Sequence, residues 1–222
     1  MQRIVLSACL ALLLAAPLSA QQRPLVTEDP ETVGSGLVLF EAGFDHQREA
    51  VYPVSGLTGN LLRLPTLGVS FGISSIAELQ IDGGLYNRLS ITDRVDAPLS
   101  SMLDIDGDQT TSIEDIVIGT KIRLLSENAG RPSVGVRLAT KLPNASNESG
   151  LGLDTTDFYA SLLIGKTVQS IRVVGNAGLG ILGDPTRGDR QNDVLTYGLS
   201  LARAVRQGLE VVGEVNGRRE LR

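Results

Sequence analysis

Charged and amide side chains recur two or four residues apart in this chain, within stretches that otherwise alternate apolar and polar residues. Basic positions fall in some stretches and acidic positions in others, so the two signs would form opposed strips on one face of a sheet. Opposed strips create a transverse field, which is how channels favour the passage of polar solutes. The alternative is that the charges pair across a filled interior and only hold its shape. The candidate lumen-lining residues are Glu78, Asp82, Lys121, Arg123, Arg137, Lys141, Asp157, Arg172, Asn176, Glu210 and Glu214.

The single histidine, His46, is the one candidate for a general base. It precedes Ser55 and Thr58 in an expected outer loop. Nucleophilic catalysis needs a base beside a hydroxyl, so this set would suit a membrane-embedded hydrolase or acyltransferase. A solvated loop histidine is the alternative that we favour, and we predict no enzyme activity and no catalytic residue.

Two further motifs resemble ligand sites. Asp104, Asp106 and Asp108 have the spacing that begins a calcium loop, but Gln109 stands where that loop needs glycine, so we favour a solvated acidic loop. The glycines at 178, 180 and 183 match a dinucleotide fingerprint, which requires a helix to follow. A turn follows instead, so we interpret these glycines as part of a tightly packed strand. We predict no metal site and no cofactor.

Nine stretches of about ten residues must position these side chains. In the first, Val38, Phe40 and Phe44 share one face, whereas Glu41 and Asp45 share the other. This alternation is typical of strands with one face in an apolar medium and the other in a polar one. The stretches span residues 35–44, 62–73, 77–86, 115–124, 133–142, 157–165, 171–181, 195–201 and 209–216.

The connectors between the stretches alternate long and short. Long ones span residues 46–60, 90–113, 144–156 and 183–192, and short ones lie near 74–75, 127–130, 168–170 and 204–207. Outer-membrane barrels have long extracellular loops and short periplasmic turns in this succession. We therefore predict an all-β fold, an antiparallel up-and-down transmembrane β-barrel over residues 35–217, in preference to a soluble sandwich.

The beginning of the chain has the features of a secretory signal in residues 1–20. Arg3 supplies the positive charge, residues 4–16 the apolar run, and Leu18-Ser19-Ala20 a cleavage site. Cleavage would remove the only cysteine, Cys9, and leave 19 basic against 25 acidic residues, which is not a nucleic-acid-binding balance. Residues 21–34, with two prolines and several acids, read as an irregular periplasmic arm that would plug the mouth of the barrel.

The strand count predicts that the barrel is incomplete. If short turns face the periplasm, the ninth strand runs in the same direction as the first. Single-chain bacterial barrels have an even number of strands, because antiparallel closure requires it. We therefore expect the chain to be a fragment that lacks a few C-terminal strands.

Several segments resemble the outer-membrane proteins of the MetA-pathway of phenol degradation family. They are PLVTEDP at 24–30 with GSG at 34–36, EDIVIGTK at 114–121, KLPN at 141–144, TDFYASLL at 156–163 and NAGLG at 176–180. The resemblance covers residues 23–216. It implies a porin-like barrel in the outer membrane of a Gram-negative bacterium that admits small compounds, aromatic or hydrophobic ones included.

The sequence thus predicts a channel or transporter that works by passive diffusion and has the lipid bilayer and small solutes as its partners. Two other functions stay open. One is a non-conducting structural or surface-recognition barrel, and the other is the membrane-embedded enzyme that would use His46.

Overall fold

The computed structural model describes residues 25–206 and 209–221, which form one antiparallel sheet of eleven strands with no α-helix. The predicted signal peptide lies outside the described residues, as do the first residues of the arm and Gln207 of the last short turn. The strands are β1 (Val38–Tyr52), β2 (Leu57–Gly72), β3 (Ala77–Gly84), β4 (Asn87–Arg94), β5 (Gln109–Ser112), β6 (Val117–Leu125), β7 (Ser133–Lys141), β8 (Asp157–Val168), β9 (Ile171–Gly183), β10 (Gln191–Arg206) and β11 (Leu209–Glu220).

The eleven strands lie in nine runs. One half of β2 pairs with β3 and the other half with β4, so β3 and β4 are one run that is interrupted at Leu85 and Tyr86. β5 and β6 form a second interrupted run, because β5 pairs with β4 and β6 pairs with β3. Each run pairs antiparallel with the next one along the chain. The predicted up-and-down order is confirmed.

The sheet curls into a half-barrel. β1 pairs only with β2, and β11 pairs only with β10, so among the described residues the outer edges of β1 and β11 have no strand partner. Counting the nine runs, these two edge strands point in the same direction. The inner concave side is the polar face of the strands, and the outer convex side is the apolar face.

Both faces follow the predicted alternation. Phe44 and Val215 are each 74% exposed on the outer side, whereas Glu78 and Lys121 are fully buried on the inner side. Crowding explains the inner glycines, because a Cβ on Gly178 would overlap the Ser161 hydroxyl. The glycines at 178, 180 and 183 all lie within β9, which confirms their interpretation as strand residues.

The prediction of a long first connector is wrong. The sequence predicts a loop over residues 46–60, but β1 continues to Tyr52 and β2 begins at Leu57, which leaves a short turn. The register shifts between Gln47 and Ala50, and Glu49 has a φ of 51°. This extra residue is a β-bulge, and it breaks the period-two pattern without ending the strand.

Two other connectors are shorter than predicted, and the last strand is longer. The segment expected to link the third and fourth stretches contains the end of β4, a 3₁₀ turn (Ser100–Met102) and β5. The loop before β10 is shortened to residues 184–190. β11 continues past residue 217 to Glu220, because residues 217–220 pair with residues 194–197 of β10. The loop over residues 142–156 agrees with its prediction.

An apolar cluster closes the end of the sheet where these loops lie. Ala50, Leu57, Leu61 and Leu89 are buried there, and Leu103 and Leu151 from the two long loops pack against them. Leu57 and Leu61 lie on the inner face, because they are an even number of residues before Arg63 on the same strand. Arg63 lies on the inner face, where it pairs with Asp45.

The described residues contain no helix that is long and apolar enough to cross a membrane.

The close pairing of β2 with β4 leads to a prediction about Gly59. A Cβ at this position would overlap the backbone carbonyl of Ser90. We expect Gly59→Ala to lower the free energy of unfolding by about 1–3 kcal/mol, because two paired strands must move apart. Gly213→Ala is the matched control, since its Cβ would meet nothing within 4 Å. Urea unfolding in detergent, monitored by circular dichroism, checks this. Equal urea midpoints for the two variants would contradict the prediction.

Candidate functional site

The inner face carries the segment that precedes β1. The described part of the arm, residues 25–34, and the residues 35–37 that join it to β1 form no strand. They run across the sheet from β11 to β2. The arm meets side chains of β3, β6, β7, β9 and β11 on its way. It therefore covers much of the face that the sequence predicts as the lumen lining.

Side chains of the sheet hold one end of the arm by its backbone. The Glu214 carboxylate of β11 accepts the backbone N–H groups of Val26, at 3.1 Å, and of Thr27. Asn176 of β9 pairs with the backbone of Glu28 twice, because its Oδ1 accepts the N–H at 2.6 Å and its Nδ2 donates to the carbonyl at 2.8 Å. These contacts give hydrogen-bond partners to backbone groups of the arm, which has no neighbouring strand here to supply them.

A glycine contact holds the other end. Gly72 of β2 accepts a hydrogen bond from the N–H of Gly36 at 2.8 Å and donates to the carbonyl of Leu37 at 2.9 Å. A Cβ on Gly72 would overlap the carbonyl oxygen of Gly34. The backbone of the arm thus lies directly on β2, and only glycine permits this approach.

The pair Lys121 and Glu78 lies beneath the arm. Both side chains are fully buried, and Lys121 Nζ is 3.0 Å from Glu78 Oε1. Glu78 also accepts the N–H of Val33 at 2.7 Å, and Glu28 of the arm lies 3.8 Å from the ammonium. Lys121 makes these ion pairs without a well-directed hydrogen bond, so part of its donor capacity is unused.

Arg172 of β9 makes the most complete contact with the arm. Its Nε and Nη2 atoms donate to the two carboxylate oxygens of Asp29, each at 2.7 Å. Two parallel hydrogen bonds of this kind are how arginine recognises a carboxylate with defined geometry. Glu127, in the turn between β6 and β7, contacts the same guanidinium from the other side.

Glu127 is held in its ionised form. The backbone N–H of Thr167 donates to this carboxylate and lowers its pKa. Burial opposes this effect, but the Thr167 hydroxyl, Arg172 and Lys166 lower the pKa as well, so the net shift is downward. A lowered pKa means that this group stabilises the fold above the ordinary glutamate pKa, and that the contribution is lost as the pH falls through the lowered value.

Two further arginines of the inner face also meet carboxylates of the arm. Arg137 Nε donates to Gln80 at 2.7 Å and lies 3.5 Å from Glu28, and its Nη2 is 3.5 Å from Asp82. Arg123 pairs with Glu31. Each of the four basic residues in this part of the face, Lys121, Arg123, Arg137 and Arg172, therefore touches an acidic residue of the arm.

A second polar cluster lies at the opposite end of the face, beside the long loops. Lys141 Nζ is 2.9 Å from Asp157 and 3.2 Å from Asp115. Asp115 accepts the backbone N–H groups of Asn144 and Ala145, which begin the loop after β7. This cluster fixes the loop to the sheet.

Ten of the eleven predicted site residues thus belong to two clusters. Glu78, Asp82, Lys121, Arg123, Arg137, Arg172, Asn176 and Glu214 surround the arm, and Lys141 and Asp157 pair beneath the loops. Glu210 lies exposed on β11, opposite Ala204. Ion pairing across the interior is favoured over separate strips of unpaired charge, because each basic residue of the set contacts a carboxylate.

The sequence predictions missed the acidic partners. Glu28, Asp29, Glu31 and Glu127 were not candidates, because none lies in a predicted strand. Asp115 lies on the predicted polar face of the fourth stretch but was not named among the lumen-lining residues. One signal was available for the arm. It carries three acids within four residues, and the basic residues on the predicted inner face would attract them.

The other motifs do not form sites in the described residues. His46 lies within β1 opposite Leu62, six residues before the end of that strand, and the Ser55 hydroxyl donates to the Gly150 carbonyl. The structure therefore does not bring His46 and Ser55 together as a catalytic pair. In the part of the chain that the structure describes, no three His, Cys, Asp or Glu side chains are grouped as metal ligands, the acidic loop at 104–108 included.

No protein-family model matches the chain, and no curated protein has a significantly similar sequence. The resemblance to the MetA-pathway of phenol degradation family therefore stays a prediction.

The buried pair leads to a second prediction. Lys121→Met would leave the Glu78 carboxylate buried without its nearest countercharge, so we expect a loss of about 3–5 kcal/mol in the free energy of unfolding. The double variant Lys121→Met with Glu78→Gln keeps an acceptor for Val33 and should recover most of that loss. Urea unfolding of the two variants checks this, and a double variant no more stable than the single one would contradict it.

Proposed function

We propose that this protein is an outer-membrane β-barrel that admits small solutes by passive diffusion, with the arm lying across its periplasmic mouth. The observation that carries the proposal is the distribution of polarity. The sheet exposes its apolar side chains on the convex side and encloses its charged side chains on the concave side, which is the reverse of a soluble domain.

The outer face supports the membrane part of the proposal. Large apolar side chains are exposed on every run of the sheet, and no loop or helix among the described residues covers them. Soluble monomers rarely expose contiguous apolar surface beyond a few hundred Å². Examples, one from each run, are Phe40, Phe71, Leu85, Ile118, Leu138, Phe158, Leu179, Leu199 and Val215.

The inner face supports the solute part. It is lined by charged and amide side chains with glycines between them, as water-filled barrels require. The arm lies toward the short-turn end, since Thr32 and Arg123 both donate to the carbonyl of Ser75 in the turn between β2 and β3. Short turns face the periplasm in outer-membrane barrels. The sequence resemblance to the MetA-pathway family suggests the same kind of protein.

A second candidate is a non-conducting barrel whose long loops carry recognition. One observation favours it, namely the apolar cluster around Leu57, Leu61 and Leu89, which fills part of the loop end of the inner face. Under this alternative the ion pairs only brace the interior.

The membrane assignment predicts the effect of a charge on the outer face. Leu199 lies near the middle of β10 and is 52% exposed. Leu199→Arg should make folding into phospholipid vesicles less favourable by about 2–4 kcal/mol, because an arginine near the bilayer midplane is costly. Gly188→Arg adds the same charge in a loop where a side chain has open space. Equal folding of the two variants, measured by heat-modifiable gel mobility, would argue against a lipid-facing surface.

The channel assignment predicts discrete conductance steps for the full chain in planar bilayers. Arg123 and Arg137 should attract anions, so replacing both by Ser should shift the reversal potential in a KCl gradient toward cation selectivity. Replacing the outer-loop Arg187 and Arg190 by Ser is the matched control. Conductance without any shift would remove the two arginines from the pore lining, and no conductance at all would favour the second candidate.

A further inference from the structure

Four basic side chains converge on the inner face from neighbouring runs of the sheet. Lys121 and Arg123 lie on β6, Arg137 on β7 and Arg172 on β9. Together they contact three carboxylates that belong to the sheet and its turns, namely Glu78, Asp82 and Glu127. The sheet alone therefore leaves one of these four positive charges without its own acidic partner.

The arm supplies three more carboxylates, and it does so with ligand-like geometry. Asp29 receives two parallel bonds from Arg172, and Glu28 lies between Lys121 and Arg137. Glu31 is the only carboxylate among the described residues that pairs with Arg123. Carboxylates from a segment outside the sheet thus occupy all four basic residues.

The basic cluster also has unused donors. Lys121 is fully buried, and its Nζ has no well-directed hydrogen bond. The Nε of Arg123 is buried without a hydrogen-bond acceptor in the described structure. A set of bases that only braced the interior would be expected to use these donors, because an unmade buried hydrogen bond is costly. A ligand that places an oxygen beside each of these two donors would satisfy them.

We propose that these four residues form a binding site for small dicarboxylates, and that Glu28, Asp29 and Glu31 occupy this site as an internal substitute for the ligand. The proposal rests on the proposed function for the role of the ligand, which would be a solute of the channel. A tethered competitor acts at an effective concentration in the millimolar range. A free dicarboxylate therefore competes poorly until the charge of the arm is removed.

The test uses the full chain in detergent and isothermal titration with succinate. The variant Glu28→Gln, Asp29→Asn, Glu31→Gln keeps the size of each side chain but removes the ion pairs that hold this part of the arm over the four bases. Succinate can then displace it more easily. We expect it to bind succinate at least tenfold more tightly than the parent chain. Arg172→Gln on this background should remove that gain, because it deletes the bidentate donor.

Two controls separate the site from net charge and from apolar binding. Neutralising the three loop acids, Asp104, Asp106 and Asp108, to Asn changes the net charge by the same amount, and it should leave succinate affinity unchanged. Succinamide, the uncharged analogue, should not bind. Equal affinity of the arm variant and the parent would overturn the proposal, and so would an equal gain in the loop variant or binding of succinamide.

Planar-bilayer recording of the same variants distinguishes this site from the channel function. Conductance without tighter succinate binding would overturn the site and leave the channel. Tighter binding without conductance would support the site and count against the channel. Circular dichroism of each variant confirms that the sheet is intact before either measurement is interpreted.

Discussion

Neutralisation of charge on the enclosed face is the constraint on which this structure depends. The sheet presents apolar side chains outward, and the charged residues of its two polar clusters lie inside, where each needs a partner. Neighbouring strands supply part of the countercharge, as Glu78 does for Lys121. The arm supplies the rest, with carboxylates that reach the bases of three different strands. The arm is therefore as much a part of the interior as the strands are.

The fold could be predicted because period-two alternation is a local signal. Nine stretches predicted nine runs, and each run pairs antiparallel with the next one along the chain. The errors come from local irregularities. The bulge near Glu49 shifts the pattern by one residue, and the interruption at Leu85 and Tyr86 divides one run into two strands. The sequence of a strand does not reveal where its partner is displaced by one residue.

The candidate site was only half predictable. Inward bases could be assigned from strand parity, and ten of the eleven predicted residues lie in the two polar clusters. Their partners are far away in sequence, since Asp29 and Arg172 are 143 residues apart. No local pattern in residues 25–34 specifies which strands this segment crosses. Charge complementarity predicts attraction between arm and sheet, but pairing each acid with its base requires the three-dimensional path.

The contact between the arm and Glu214 also constrains the order of assembly. Val26 and Thr27 are bonded to a residue 187 or more positions later in the chain, so they have no partner until β11 has joined the sheet. Contacts of such sequence separation form late, because a very long loop must close first. The docked arm is consequently a signature of completed strand pairing. Its protection from proteolysis would report how far the sheet has been built.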